Sequence, residues 1–223
     1  MSRTNRGFSI AEMLIAAFTF LLVFGVGLWA VSRGMNMHSE AAVKQSLQRE
    51  IQAIAAFMEE DGSKTNFFRT ANQARTVTDG RRRDGLAMVA MDTWQGDIAL
   101  DAIGLPAWNN LVAYVATRDE PRGRLVRQVI QPGITPIQDT QVLTLLNSAL
   151  SGVLNGGDTM ISERQLSESV DQFIVEPRAG LGLLVCEISL KETLAQTDGK
   201  GLQSEVLNVR IMLYPQNTWP RID

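Results

Sequence analysis

The chain has 223 residues, 21 basic and 24 acidic, giving a formal charge of −3, with one histidine and one cysteine. Such a near-neutral balance excludes a global field suited to nucleic acid or to an anionic membrane surface. A lone thiol, Cys186, excludes an internal disulfide, so the fold must stand on packing alone.

The first seven residues are short and basic, with Arg3 and Arg6, and end at Gly7. Phe8 follows, then Glu12, then a run from Met13 to Val31 without a charge. A helix of about 20 residues spans a hydrocarbon core of roughly 30 Å, so this stretch is long enough to cross a membrane. Glu12 stands at its start, where a carboxylate in apolar surroundings is costly unless something pairs with it. An ordinary secretory signal would explain Arg3, Arg6 and the small residues at Ala30-Val31-Ser32. It would not explain Glu12, and its apolar region is usually only about 7–15 residues. On either reading the arginines hold the leader in the cytoplasm and send the rest of the chain outside.

Past Val31 the pattern changes but stays helical. Val43, Leu47, Ile51, Ile54 and Met58 fall on one face, and Glu40 and Lys44 are spaced as an i,i+4 ion pair. The spacing predicts one helix from about Ser9 to Asp61, apolar all round in its first half and amphipathic in its second, with Gly62 as the stop. Gly25, Gly27 and Gly34 each weaken the helix by about 1 kcal/mol, which suits either local melting or close helix contact. His38 lies on a polar stretch beside Asn36 and Ser39 and reads as a surface residue.

Residues 62–85 are polar and glycine-punctuated and read as a long surface connection ending in Arg81-Arg82-Arg83, a solvated turn between acids. An apolar run, Leu86–Met91, predicts the first strand. Asp92, Asp97 and Asp101 beyond it lack the spacing of a known Ca²⁺ loop and read as solvated acids. Two apolar runs, Leu111–Thr117 and Arg124–Ile130, flank a charged turn and predict a hairpin; Pro132, Gly133 and Pro136 then break the sheet. Val142, Leu146, Leu150 and Val153 predict a short helix closed by Asn155-Gly156-Gly157. Leu166, Val170 and Phe173 read as a turn of helix passing into a strand that ends at Pro177. Alternating patterns over Leu183–Lys191 and Glu205–Tyr214 predict a closing hairpin with one solvated face, with Cys186 on the buried side as a small core residue.

A basic leader, Gly7, Phe8, a carboxylate at Glu12 and an unbroken apolar helix resemble the N-terminus of a type IV pilin-like precursor, or prepilin. More loosely, Ser46-Leu47-Gln48-Arg49-Glu50, the Leu111–Tyr114 strand with Gly123-Arg124-Leu125-Val126-Arg127, the Leu166–Phe173 segment and the closing hairpin are similar to minor pilins of the W type and to J-type minor pseudopilins. The resemblance implies an α+β fold with a long N-terminal helix packed on an antiparallel sheet domain. It divides the chain into a leader (1–7), a transmembrane or filament-core helix (8–31), its amphipathic continuation (32–61) and a periplasmic domain (62–223). It also implies a membrane-embedded prepilin peptidase that cuts after Gly7 and methylates the new amine of Phe8. That amine would be the partner for Glu12 of a neighbouring subunit. The implied partners are the peptidase, other minor and major pilins or pseudopilins, and inner-membrane lipid. The implied role is initiation or tip of a type IV pilus or of a type II secretion filament.

The residues offer no nucleophile elbow, metal-ligand cluster or phosphate-binding glycine loop, so neither an enzyme nor a cofactor is expected. The competing expectation is a single-pass, membrane-tethered periplasmic module that binds a ligand and never polymerises. A mere tether has no use for Gly7 and Glu12 together.

Overall fold

The structure, a computed structural model, describes residues 9–91, 108–133, 137, 139–154, 156–195 and 202–215. Gly7, Phe8, Pro136 and the acids Asp92, Asp97 and Asp101 lie outside them. The chain begins with one continuous 54-residue helix, α1 (Ile10–Ser63), as the joined apolar and amphipathic patterns require. It continues as β1 (Thr65–Gln73), β2 (Gly85–Met91), β3 (Trp108–Ala116), β4 (Gly123–Gln131), α2 (Asp139–Ser151), β5 (Thr159–Arg178), β6 (Leu183–Ala195) and β7 (Leu202–Leu213).

The seven strands form one antiparallel sheet in sequence order, so every neighbour in space is a neighbour in the chain. β5 is 20 residues long and serves two partners: its first half pairs with β4 and its second half with β6, and Val170 pairs with both, opposite Gly123 and Leu190. The sheet curls until the segment ahead of β2 meets β5. There Phe173 N–H donates to the Arg82 carbonyl at 2.9 Å and Asp84 N–H donates to the Phe173 carbonyl at 2.8 Å.

Two cores lie on opposite faces of this sheet. The larger one places Leu47, Ile51, Ile54 and Met58 of α1 against Leu86 and Met88, Val112 and Tyr114, Phe173, Cys186, Ile188 and Leu213. The smaller one seats Val142, Leu145, Leu146 and Ala149 of α2 on Ala87, Val89, Leu111, Ala113 and Val115. β2 and β3 are thus covered on both faces, which is why residues 86–91 and 111–116 are unbroken apolar runs. β6 and β7 are covered on one face only and alternate.

Several sequence-based expectations are corrected. Residues 62–85 are not a surface connection: they contain β1, and Arg83 and Asp84 at their end are fully buried. A burial signal was hidden because the side chains that fill this space are charged. The segment Leu166–Phe173 is strand throughout rather than a turn of helix; bulges between β4 and β5 mimic a helical spacing of its apolar residues. Gly62 is not a left-handed helix stop. It lies inside α1, buried, where an added Cβ would come 3.4 Å from the Leu213 Cβ, so it permits close approach of helix and strand. Lys44 pairs with Glu205 of β7 at 3.4 Å instead of Glu40. α2 starts at Asp139, where Asp139 and Thr140 marked its beginning, but ends earlier than its periodicity suggested, leaving Val153 outside it and exposed.

Candidate functional site

The feature without a structural partner is the first half of α1. From Ile10 to Val31 its large apolar side chains are 54–80 % exposed, and none of the described residues of the sheet domain covers them. It is the one helix among the described residues long and apolar enough to cross a membrane. Polar groups here are satisfied within the helix: the Thr19 hydroxyl donates to the Ile15 carbonyl at 2.8 Å. That is what a helix in hydrocarbon requires. Phe20 and Phe24 stack at 6.0 Å between centroids. Gly25 and Gly27 face open space, so nothing among the described residues demands glycine at either position.

Glu12 has a partner in its own chain. Ser9 caps the helix: its hydroxyl accepts from the Glu12 N–H at 3.3 Å, while the Glu12 carboxylate accepts from the Ser9 N–H at 2.9 Å. This reciprocal arrangement is a capping box. The pattern Ser-x-x-Glu at Ser9–Glu12 signals it in sequence, and reading Glu12 as a charge in need of a distant partner overlooked it.

The second half of α1 is fixed to the sheet by apolar and ionic contacts together. Ser167 of β5 donates its hydroxyl to Glu50 at 2.6 Å. At the last turn, Asp61 is 2 % exposed and receives three donors: Tyr114 Oη at 2.5 Å, Arg127 Nε at 2.7 Å and Arg127 Nη2 at 2.8 Å. The hydrogen-bonded Asp61 carboxylate pushes the Arg127 pKa up. Burial, and then the Asp61 charge, push the Tyr114 phenol up as well. Guanidinium groups of Arg127 and Arg164 also face the Phe57 ring, 5.6 and 4.6 Å from its centroid.

A second ionic cluster secures the curl. Arg83, wholly buried, donates to the carbonyls of Asp171, Thr117, Asp119 and Pro121, so one side chain ties β5 to the β3–β4 turn. Burial and the neighbouring Arg81 push its pKa down. Arg81 pairs with Asp79 and Asp171, and Arg82 with the buried Asp84, whose carboxylate also accepts from the Val175 and Arg75 amides. The three arginines are structural cations, not a solvated turn.

Catalytic chemistry finds few candidates. His38 is exposed on the helix. Cys186 is buried and its thiol is pushed up to about 12 by desolvation, which leaves too little thiolate for a nucleophile at neutral pH. Among the described residues, no group of three or more His, Cys, Asp or Glu side chains is placed to hold a metal. Comparisons with protein-family models, with curated proteins and with solved structures find no match for this chain.

Proposed function

We propose that this chain is a minor pilin or pseudopilin: a subunit processed by prepilin peptidase that packs the exposed half of α1 among like helices and carries its sheet domain outside the inner membrane. The carrying observation is the division of α1. One unbroken helix is apolar and unpacked over Ile10–Val31 and seated on the sheet from Val43 to Asp61. Membrane lipid can cover the first part in a lone subunit, and neighbouring helices can cover it in a filament. Rigid attachment of the second part suits a domain that must keep a set orientation on a helical core. The junction Gly7-Phe8 ahead of this helix supports processing there, with methylation of the Phe8 amine.

The capping box also suits a plain tether, because it occupies Glu12 without a neighbour. The two readings part at the charge. Gln at position 12 keeps a side-chain oxygen for the Ser9 N–H and preserves the box, but it carries no charge for the Phe8 amine of another subunit. In a filament, Glu12→Gln is expected to be inserted and cleaved normally, yet recovered with sheared filaments or partner pilins at a level lower by on the order of a hundredfold, the size expected for a desolvated ion pair. Wild-type recovery of Glu12→Gln would leave Glu12 a helix cap only and favour the tethered ligand-binding module.

A further inference from the structure

Resting on the reading of α1 as a membrane helix, we infer that Trp29 and Arg33 form an interfacial clamp on phospholipid headgroups. The clamp sets the depth of α1 in the bilayer. Arg33 is the first charged residue after Glu12. Its guanidinium carbon lies 5.4 Å from the centre of the Trp29 ring, one helical turn nearer the N-terminus, and both side chains are exposed. An aromatic ring with a polar N–H and an arginine beside it is the combination that membrane–water interfaces select.

The spacing agrees. From the Ser9–Glu12 capping box to Arg33 is about 21 residues, or about 31 Å of helix, close to the roughly 30 Å of a hydrocarbon core. With Arg33 at the headgroups, its planar fork meets phosphate oxygens while Trp29 stays at the hydrocarbon edge. Between this clamp and the domain core the helix is exposed at Met35, Met37, His38 and Ser39 and half-buried at Asn36 and Glu40. Val43 is the first residue packed on the domain core, and Leu47 is the first one buried. Met35 and Met37 are 62 and 56 % exposed. Some 10 residues from Arg33 to Val43 correspond to about 15 Å of helix between the clamp and the first core contact of α1.

Arg33 decides the register because the residues beyond it do not. Without it, the chain carries no acidic or strongly basic residue from Met13 to Ser39, and α1 is free to sink by a turn. An interfacial arginine opposes that shift by on the order of a hundredfold in population.

The test uses the full chain in nanodiscs of phosphatidylethanolamine and phosphatidylglycerol, one copy per disc, with single cysteines labelled by a membrane-impermeant maleimide. Wild type supplies the blank, since Cys186 is buried. Met35→Cys and Met37→Cys are expected to label readily and Leu28→Cys about tenfold more slowly or worse. Adding Arg33→Leu should slow Met35→Cys by about tenfold, and Arg33→Lys should restore most of it, since lysine also reaches the headgroups. Arg33 lies well before the packed part of α1, so the melting of the domain should not change and serves as the folding control. If Arg33→Leu leaves the Met35→Cys rate unchanged, the clamp is overturned while the membrane reading of α1 stands. If Leu28→Cys labels as fast as Met35→Cys in otherwise wild-type chain, α1 is not inserted and both fall. A boundary that responds to Arg33 only when a second pilin is added would make the partner a protein carboxylate and overturn the lipid assignment.

Discussion

Asp61, on the last turn of α1, and Arg127, in the middle of β4, face each other through two parallel hydrogen bonds of 2.7 and 2.8 Å across 66 residues of sequence. The pair sits at the only point where the helix end, the sheet centre and the Tyr114 hydroxyl converge among the described residues, and it converts a loose apolar contact into a fixed one. Truncating Arg127 strands a carboxylate that is 2 % exposed. Arg127→Ala is expected to cost about 3–5 kcal/mol of domain stability, and Arg127→Lys to recover only part of it, because an ammonium cannot make the bidentate fork. Urea denaturation of a soluble fragment beginning near Ser39 measures both.

The Arg83 cluster makes a different prediction, about local geometry. Arg83 supplies donors to four carbonyls, and an apolar replacement leaves them unsatisfied at about 1–3 kcal/mol for each that stays buried. Arg83→Met should therefore destabilise strongly although it fits by volume. Gly123 lines the same place: a Cβ there would meet the Thr117 carbonyl oxygen at 2.6 Å and Arg83 Nη1 at 3.0 Å. Gly123→Ala should cost about 1–3 kcal/mol from overpacking against backbone. At Gly85 a Cβ would meet only the end of the Leu150 side chain, at 2.7 Å, which can move. Gly85→Ala should be the milder change, and equal midpoints for the two glycine variants would contradict the arrangement.

Alkaline pH probes the core through Tyr114 and Cys186. Both have folded-state pKa values raised by burial, Cys186 to about 12. A raised pKa means that the unfolded chain ionises first, so the stabilisation is complete below the unfolded pKa and is lost as pH rises through the folded one. For the thiol the loss begins near pH 9 and runs to about 12; for the phenol it begins near pH 10. Stability of the fragment should be flat from about pH 7 to 8.5 and then fall by up to about 1.4 kcal/mol per pH unit for each group. Cys186→Ala should remove the earlier part of the slope and Tyr114→Phe the later part. A slope untouched by both substitutions would mean that neither group is buried in solution.

Much of this architecture was legible because apolar periodicity reports burial directly. Leu47, Ile51, Ile54 and Met58 announced the packed face of α1, and the alternation of Leu184, Cys186, Ile188 and Leu190 announced β6. What stayed hidden was burial by charge. Arg83, Asp84 and Asp61 look like surface residues to any reading of hydropathy, and their partners at Phe173, Pro121 and Arg127 are distant in sequence. Only the fold brings such groups together. β1 was missed for a related reason: as an edge strand with half-exposed polar residues such as Thr70, Asn72 and Gln73, it has little apolar pattern to show. At the candidate site the apolar run was plain in sequence, and Ser9-x-x-Glu12 carried a capping signal there too; that the sheet domain leaves residues 10–31 uncovered emerged only from the fold.

The most direct measurement is the mass of the chain purified from cells with an active prepilin peptidase. A filament subunit of the proposed kind begins at Phe8 and carries one methyl group on its amine, while Gly7→Ala accumulates with residues 1–7 still attached. A chain that still begins at Met1 in such cells, or one that begins at Ser32 or beyond after signal-type cleavage, would contradict the proposal.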